Sequence, residues 1–312
     1  MIKQQIVDSA LVIEPSDLRH GTSVDLEINE QSGHVSRLRQ YRVYLPSGYT
    51  EQQRYPLIMV LHGCRQTHLD IQAISGFDAI ADRVGAIVVY PFITSYSGVR
   101  TSNCWGWWLT RQRQRGRGEV NDLFRIAENV ITSYAVDDRR VHICGLSAGA
   151  AMSVACLASY SDFWTSGASI AGVPYGESER SVRVNRHVPV RRKLVSTLVR
   201  MLSRELVSDA PPLLVVQSNA DKMVGPKLGA NLRDTWTAVS DCHKEPSQLY
   251  SDITHGIGWR LEQYCKQGRT RVAHFLIDEL EHGWPGGLPG EYSFPEAPNI
   301  SELIWSFFDN CT

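Results

Sequence analysis

The chain has 312 residues, 43% of them hydrophobic and 21% charged, enough apolar material for a full core and not the composition of a disordered chain. Lysine plus arginine number 32 against 33 acidic residues, a net charge of -1, which argues against a protein built wholly around nucleic acid. No apolar run approaches the ~18 residues of a membrane helix, and no apolar leader follows Met1, so the expected location is cytoplasmic and no membrane partner is expected.

Tyr41–Leu45 alternates and ends at Pro46-Ser47-Gly48, predicting a strand and a turn. Leu57–Leu61 is continuously apolar, as a strand buried on both faces would be. Ile71, Ile74, Phe77, Ile80 and Val84 predict a helix over 69–84, and Ala86–Tyr90 a further strand. A helix over 119–135 follows, then a strand at Val141–Cys144, a small-residue helix over 148–160 and a strand at Ala168–Gly172. Leu213–Val216 predicts a strand, and Leu228, Leu232, Trp236 and Val239 a helix. Val272–Ile277 is the expected last strand, and Ile300 to Phe308 the last helix. Strands alternating with helices predict an α/β fold with a mostly parallel central sheet covered on both faces.

One stretch breaks the rhythm. From Arg180 to Arg204 there are eight basic residues and no acid, with Leu194, Leu198, Met201 and Leu202 at helical spacing. Residues 174–210 are therefore expected to form a cap insertion within a single domain spanning 1–312, mobile through charge repulsion and not a nucleic-acid site. The seven cysteines are widely spaced without a CxxC pair, which argues against a zinc ribbon. Cys144 and Cys156 lie in apolar stretches and read as buried thiols.

The sharpest chemical signal is Gly145-Leu146-Ser147-Ala148-Gly149, set between a strand and a small-residue helix. In that context G-x-S-x-G is a nucleophile elbow, a tight turn that presents the serine hydroxyl above the sheet. A serine hydroxyl needs an adjacent base, and in an α/β-hydrolase fold the chain order is Ser, acid, His. Asp221 follows the 213–216 strand and is the candidate acid, with Asp252 its rival after a weaker strand signal. His282, in a Gly- and Pro-rich loop after the last strand, is the candidate base; His255 competes, and His274 reads as structural inside the strand. An oxyanion needs fixed donors, for which the backbone amides of Ala148 and of Cys64, in Leu61-His62-Gly63-Cys64, are the candidates. His62 is expected to brace that loop. Trp105, Trp107 and Trp108, together with Trp284 beside His282, are the candidate aromatic wall for substrate. Arg111, Arg113, Arg115 and Arg117 read as a solvated edge. No cofactor or metal motif is present in the sequence.

Five motifs in order, Leu61–Cys64, Asn103–Trp108, Arg117–Val120, Gly145–Ala150 and Ala171–Gly176, resemble the esterase/polyhydroxybutyrate (PHB) depolymerase family of α/β-hydrolases, whose relatives include feruloyl and acetyl-xylan esterases. The resemblance covers roughly residues 38 to 290. It implies a serine carboxylic-ester hydrolase with the triad Ser147, Asp221 and His282 and with Cys64 as an oxyanion donor. The implied partner is a small-molecule or oligomeric ester, with solid polymer a poor substrate. The acid motif departs from the family's usual His-Gly-x-x-Asp and reads Gln217-Ser218-Asn219-Ala220-Asp221. A peptidase or acyltransferase on the same scaffold, or a non-catalytic binding protein with a basic cap, are the alternatives.

Overall fold

A computed structural model of the chain describes residues 20–32, 35–93, 102–182 and 189–311. Ten strands form one sheet in the order β1-β2-β4-β3-β5-β6-β7-β10-β9-β8. They are β1 (Thr22–Ser32), β2 (Val35–Leu45), β3 (Tyr55–Leu61), β4 (Ile87–Pro91), β5 (Val136–Leu146), β6 (Ser166–Ile170), β7 (Leu213–Ser218), β8 (Gln248–Thr254), β9 (Ile257–Lys266) and β10 (Arg269–Ile277). The six central strands, β4 to β10 in spatial order, pair parallel. Antiparallel pairs flank them, β1 and β2 on one side and β9 and β8 on the other.

The sheet is covered on both faces, and the strand alternation shows how. Leu57, Met59, Leu61, Val141, Ile143, Leu213 and Val215 point to one core, with Ile126, Met152, Leu157 and Trp236. Those four come from three helices: α3 (Gly118–Ser133), α4 (Ala148–Ser159) and α6 (Pro226–Val239). The intervening Ile58, Val60, Cys144, Leu146, Leu214 and Val216 face a second core with Ile71, Ile80, Ile304 and Phe308. That core is closed by α1 (His68–Ser75), α2 (Phe77–Val84) and α7 (Ile300–Asp309). A continuous apolar run is what a strand with two buried faces requires. Cys144 and Cys156 are both fully buried, and burial pushes both thiols up.

Four differences from the sequence reading have physical causes. The helix expected over 69–84 is two helices, because Gly76 takes a left-handed φ of 70° between them. The last carbonyls of α1 bond elsewhere: Leu288 N–H donates to Ile74 O and the Ser301 hydroxyl to Ser75 O. Strand β5 starts five residues early, since Asp137–Arg140 extends at the exposed end of the sheet. Strands β1 and β9 were not anticipated, and β8 showed only as the weak strand signal before Asp252. β8 is mostly exposed and has no apolar run to reveal it. Lastly, Arg113 is buried and lies 5.0 Å over the Tyr175 ring, and is not part of a solvated edge; Arg115 pairs with Asp162.

Arg183 and Arg186 of the basic stretch lie outside the described residues. Its later part forms α5 (Val195–Glu205), which packs beside α6 with Leu198 and Leu202 fully buried. Val182 in its earlier part and Glu179 just before it border the cleft described next.

Candidate active site

Four loops leave the carboxyl ends of parallel strands β3, β5, β7 and β10 on one edge of the sheet, the edge where open α/β sheets bind ligands. The turn after β5 carries Ser147 with φ 58° and ψ −115°. A non-glycine residue held there costs about 1–3 kcal/mol, so the surroundings must impose it. They do: Ser147 N–H donates to Ile170 O at 2.8 Å, and Ala151 N–H, in the first turn of α4, donates to Ser147 O at 3.0 Å. Glycine is needed on both sides of the turn. A Cβ on Gly145 would stand 2.8 Å from Leu61 O, and one on Gly149 would stand 2.5 Å from His62 O. The sequence pattern G-x-S-x-G is thus the condition for α4 to press against the end of β3. Ala148 is the first residue of α4, where helix N–H groups and the positive end of the dipole collect.

Asp221 and His282 meet although 61 residues separate them. Their loops are tied together just beyond β7 and β10. Asn219 N–H donates to Ile277 O at 2.8 Å, the Ser218 hydroxyl to Leu280 O at 2.6 Å, and the Asn219 side-chain amide to Asp278 Oδ1 at 2.7 Å. Asp221 is 4% exposed and divides its oxygens. Oδ1 accepts from the amides of Met223 and Val224, each at 2.8 Å, and Oδ2 lies 2.7 Å from His282 Nδ1. The carboxylate therefore holds the ring through Nδ1, leaving Nε2 to act as acceptor. Ser147 and His282 line one cleft of about 410 Å³. Neither rival joins them. Asp252 lies on the exposed strand β8, where its carboxylate accepts from its neighbour Ile253 N–H, and exposed His255 contacts Glu296 O. His274 is buried beside Glu262, whose carboxyl is held at about 2 by hydrogen bonds from His274 and Tyr264 and by the Arg233 charge.

The Leu61-His62-Gly63-Cys64 turn is built to be rigid. His62 is fully buried. Ile93 N–H donates to its Nε2 at 3.3 Å, so Nδ1 carries the proton and donates to Gly63 O at 2.8 Å. Burial pushes the His62 pKa down to about 4. Gln66 Oε1 accepts from Gly63 N–H at 2.8 Å, and Ser102 O accepts from Arg65 N–H at 2.6 Å. Cys64 itself is bonded to Cys104 in a disulfide, which fastens the turn to the tryptophan loop. The expectation that His62 braces this loop is borne out. Because His62 must stay neutral when folded, its contribution is present above about pH 6.5 and is lost as pH falls toward 4. Acidification over that window should cost up to about 3 kcal/mol of stability. Melting temperature measured from pH 7 to 4 should fall less steeply for His62→Asn than for the wild type; equal slopes would contradict it.

The tryptophans divide. Trp107 and Trp108 line the cleft, packed edge to face at 5.5 Å. Trp105 does not: it is 2% exposed, with its indole N–H on His62 O at 3.0 Å, so it supports the turn from beneath. Trp284 is also no part of the wall. It is fully buried against Phe77, with its indole N–H on the Ser301 hydroxyl at 3.0 Å. The remaining lining includes Val173, from the Ala171–Gly176 motif, and Arg65, Gln66, Glu179, Val182, Met223, Val224 and Tyr292, which the sequence alone did not single out. Met223 and Val224 could have been found, as they immediately follow the candidate acid. Among the described residues no cluster of His, Cys, Asp and Glu is arranged to hold a metal ion.

Comparison with known proteins places this chain in a family. Residues 39–224 match the family described as Esterase PHB depolymerase. Poly(3-hydroxyalkanoate) depolymerase C of Paucimonas lemoignei is 36% identical over 132 residues, 42% of this chain and 31% of that protein. Feruloyl esterase B of Neurospora crassa is 24% identical over 79% of this chain and 87% of its own length. The solved acetyl xylan esterase from Aspergillus awamori superposes with a TM-score of 0.70 at 14% identity, covering 92% of this chain and 99% of that one, which shows a shared fold. The alignment thus spans about a third of the depolymerase and most of the feruloyl esterase. The fold is the α/β-hydrolase fold expected from the sequence, and the chain belongs to the esterase/PHB depolymerase family of carboxylic-ester hydrolases.

Proposed function

We propose that the protein hydrolyses short-chain, hydroxyacid-oligomer or aryl carboxylic esters through an acyl-enzyme. The observation that carries this is the 2.7 Å contact between His282 Nδ1 and Asp221, in a cleft that also holds Ser147 on its strained turn. Ser147 Oγ attacks the ester carbonyl carbon while His282 Nε2 takes its proton. The carbonyl oxygen becomes an oxyanion facing the amides of Cys64 and Ala148. Collapse breaks the carbon–oxygen bond, and the His282 proton passes to the leaving alcohol. Water then repeats the cycle on the acyl-serine, with His282 again as base, and the acid departs. Asp221 orients the ring and stabilises its charged form.

The Cys64–Cys104 disulfide supports the assignment of Cys64 through its amide, since the sulfur is committed to a bond and the backbone is fixed. Disulfides persist in oxidising compartments, which weighs against the cytoplasmic location expected from the sequence. Glu179 and Val182 at the cleft agree with a partial cap over the site, while α5 is a brace at its side.

The size of the cleft favours small acyl groups. Trp107 and Trp108 are rigid walls in a space of about 410 Å³ that must also hold part of the alcohol. Across a series of 4-nitrophenyl esters, kcat/KM for acetyl and butyryl should exceed that for twelve-carbon and longer chains by at least tenfold. A maximum on long chains would place the enzyme with lipases. Running anilides alongside the esters tests the peptidase alternative, and adding alcohol acceptors tests the acyltransferase one.

A further inference from the structure

Among the described residues, two charged side chains line the cleft, Arg65 and Glu179. Arg65 immediately follows Cys64 and has a left-handed φ of 69°, a conformation that an arginine adopts at a cost. The bond from its N–H to Ser102 O and the neighbouring disulfide hold it there. Its side chain is exposed and, among the described residues, has no carboxylate partner.

The opposite side of the mouth is also basic. Arg191 N–H donates to Arg180 O at 2.8 Å, which brings both exposed arginines next to Glu179. Arg192 Nη2 lies 3.2 Å from the point where a Cβ on Gly225 would stand, beside Val224 of the lining. Glu177, the nearest other acid of this segment, is already engaged: it is buried and accepts from Lys193 N–H at 2.9 Å. Along the lining loops, exposed Arg65, Arg180, Arg191, Arg192 and Lys222 thus stand against exposed Glu179, Glu281 and Glu291, and among the described residues none of these cations has a carboxylate partner.

We propose that this rim selects esters carrying a free carboxylate, with Arg65 the cation that meets it inside the cleft. The idea rests on the esterase reading of the same site. A local positive field at a cleft mouth raises the arrival rate of anionic substrates, and a guanidinium in the lining holds a carboxylate by charge-assisted hydrogen bonds.

The test compares matched pairs that differ by one charge. Mono-4-nitrophenyl adipate against its methyl-capped diester places the carboxylate on the acyl side. 3-Acetoxybutanoate against 3-acetoxybutanamide, followed by acetate release, places it on the alcohol side. In at least one pair the carboxylate substrate should have the higher kcat/KM, by about threefold to tenfold at low ionic strength, allowing for the exposure of the arginines. The ratio should shrink as salt rises. Arg65→Gln should bring it close to one, Arg65→Lys should retain most of it, and Arg180→Gln with Arg191→Gln should lower it through KM. Turnover of the neutral esters with a ratio at or below one in both pairs overturns the proposal alone, as does a ratio that neither salt nor Arg65→Gln changes. Failure to cleave any of the four substrates overturns the esterase reading and this proposal with it.

Discussion

Replacing Ser147 with alanine should lower ester turnover by on the order of 10⁶ while the protein stays folded, the scale of loss seen when a triad serine is removed from a comparable hydrolase. The substitution removes one hydroxyl from a residue whose backbone is held by neighbours on both sides, through Ile170 O and the first turn of α4. Those bonds use main-chain atoms and survive the change. Melting temperature should therefore move little, and a smaller side chain at a positive φ keeps the turn's conformation available. A serine-directed organophosphorus reagent should label the wild type once, at Ser147, and leave the alanine variant unlabelled. His282→Ala should fall to a similar level, because the residual rate then rests on the oxyanion donors and binding alone. Labelling at a different serine, or near-normal turnover by Ser147→Ala, would falsify the assignment.

Much of this was legible in the chain because the elements concerned are dictated locally. Strand β3 and the Leu213–Val216 part of β7 are apolar on both faces, and the sheet covers both, so each reads as an unbroken run. The elbow is legible because backbone atoms of β3 crowd Gly145 and Gly149, which leaves no room for another residue type. The candidate triad followed from chain order along a parallel sheet, where each loop after a strand opens on the same edge. What the sequence hid depends on contacts between distant segments. Trp105 and Trp107 are two residues apart in one loop, yet one supports His62 and the other faces the cleft. Trp284 borders His282 in sequence but belongs to the core under α7. The left-handed break at Gly76 is set by partners near residues 288 and 301, far along the chain. Exposed strands such as β8 carry little hydrophobic pattern, since water and not a core covers them.

The choice between two aspartates admits a direct measurement. Asp221→Asn should lower kcat by about 10⁴, the scale of the equivalent change in a comparable triad, whereas Asp252→Asn should leave it within twofold. The geometry explains both numbers. Asp221 is buried, and its Oδ1 is fixed by two backbone amides of the turn that follows it. Its other oxygen is aimed at His282 Nδ1, so the proton sits on Nδ1 and Nε2 is left free to accept from Ser147. An asparagine can keep the two amide bonds through its carbonyl oxygen. Its NH₂ group would then face the ring and act as a donor, favouring the tautomer whose Nδ1 accepts and whose Nε2 carries the proton. That imidazole cannot take the serine proton. The variant also lacks the negative charge that stabilises the imidazolium formed during attack. Stability should change far less than turnover, since shape and the amide contacts persist, and binding of a neutral ester should be little altered. The loss should accordingly appear in kcat with KM nearly constant, and raising the pH should recover part of it as hydroxide assists the attack. Asp252 stands on an exposed edge strand, bonded to the next residue in its own strand, and reaches none of these groups. If Asp252→Asn proved the crippling change and Asp221→Asn the mild one, the short contact to His282 would be a structural brace and the acid of the triad would have to be sought elsewhere.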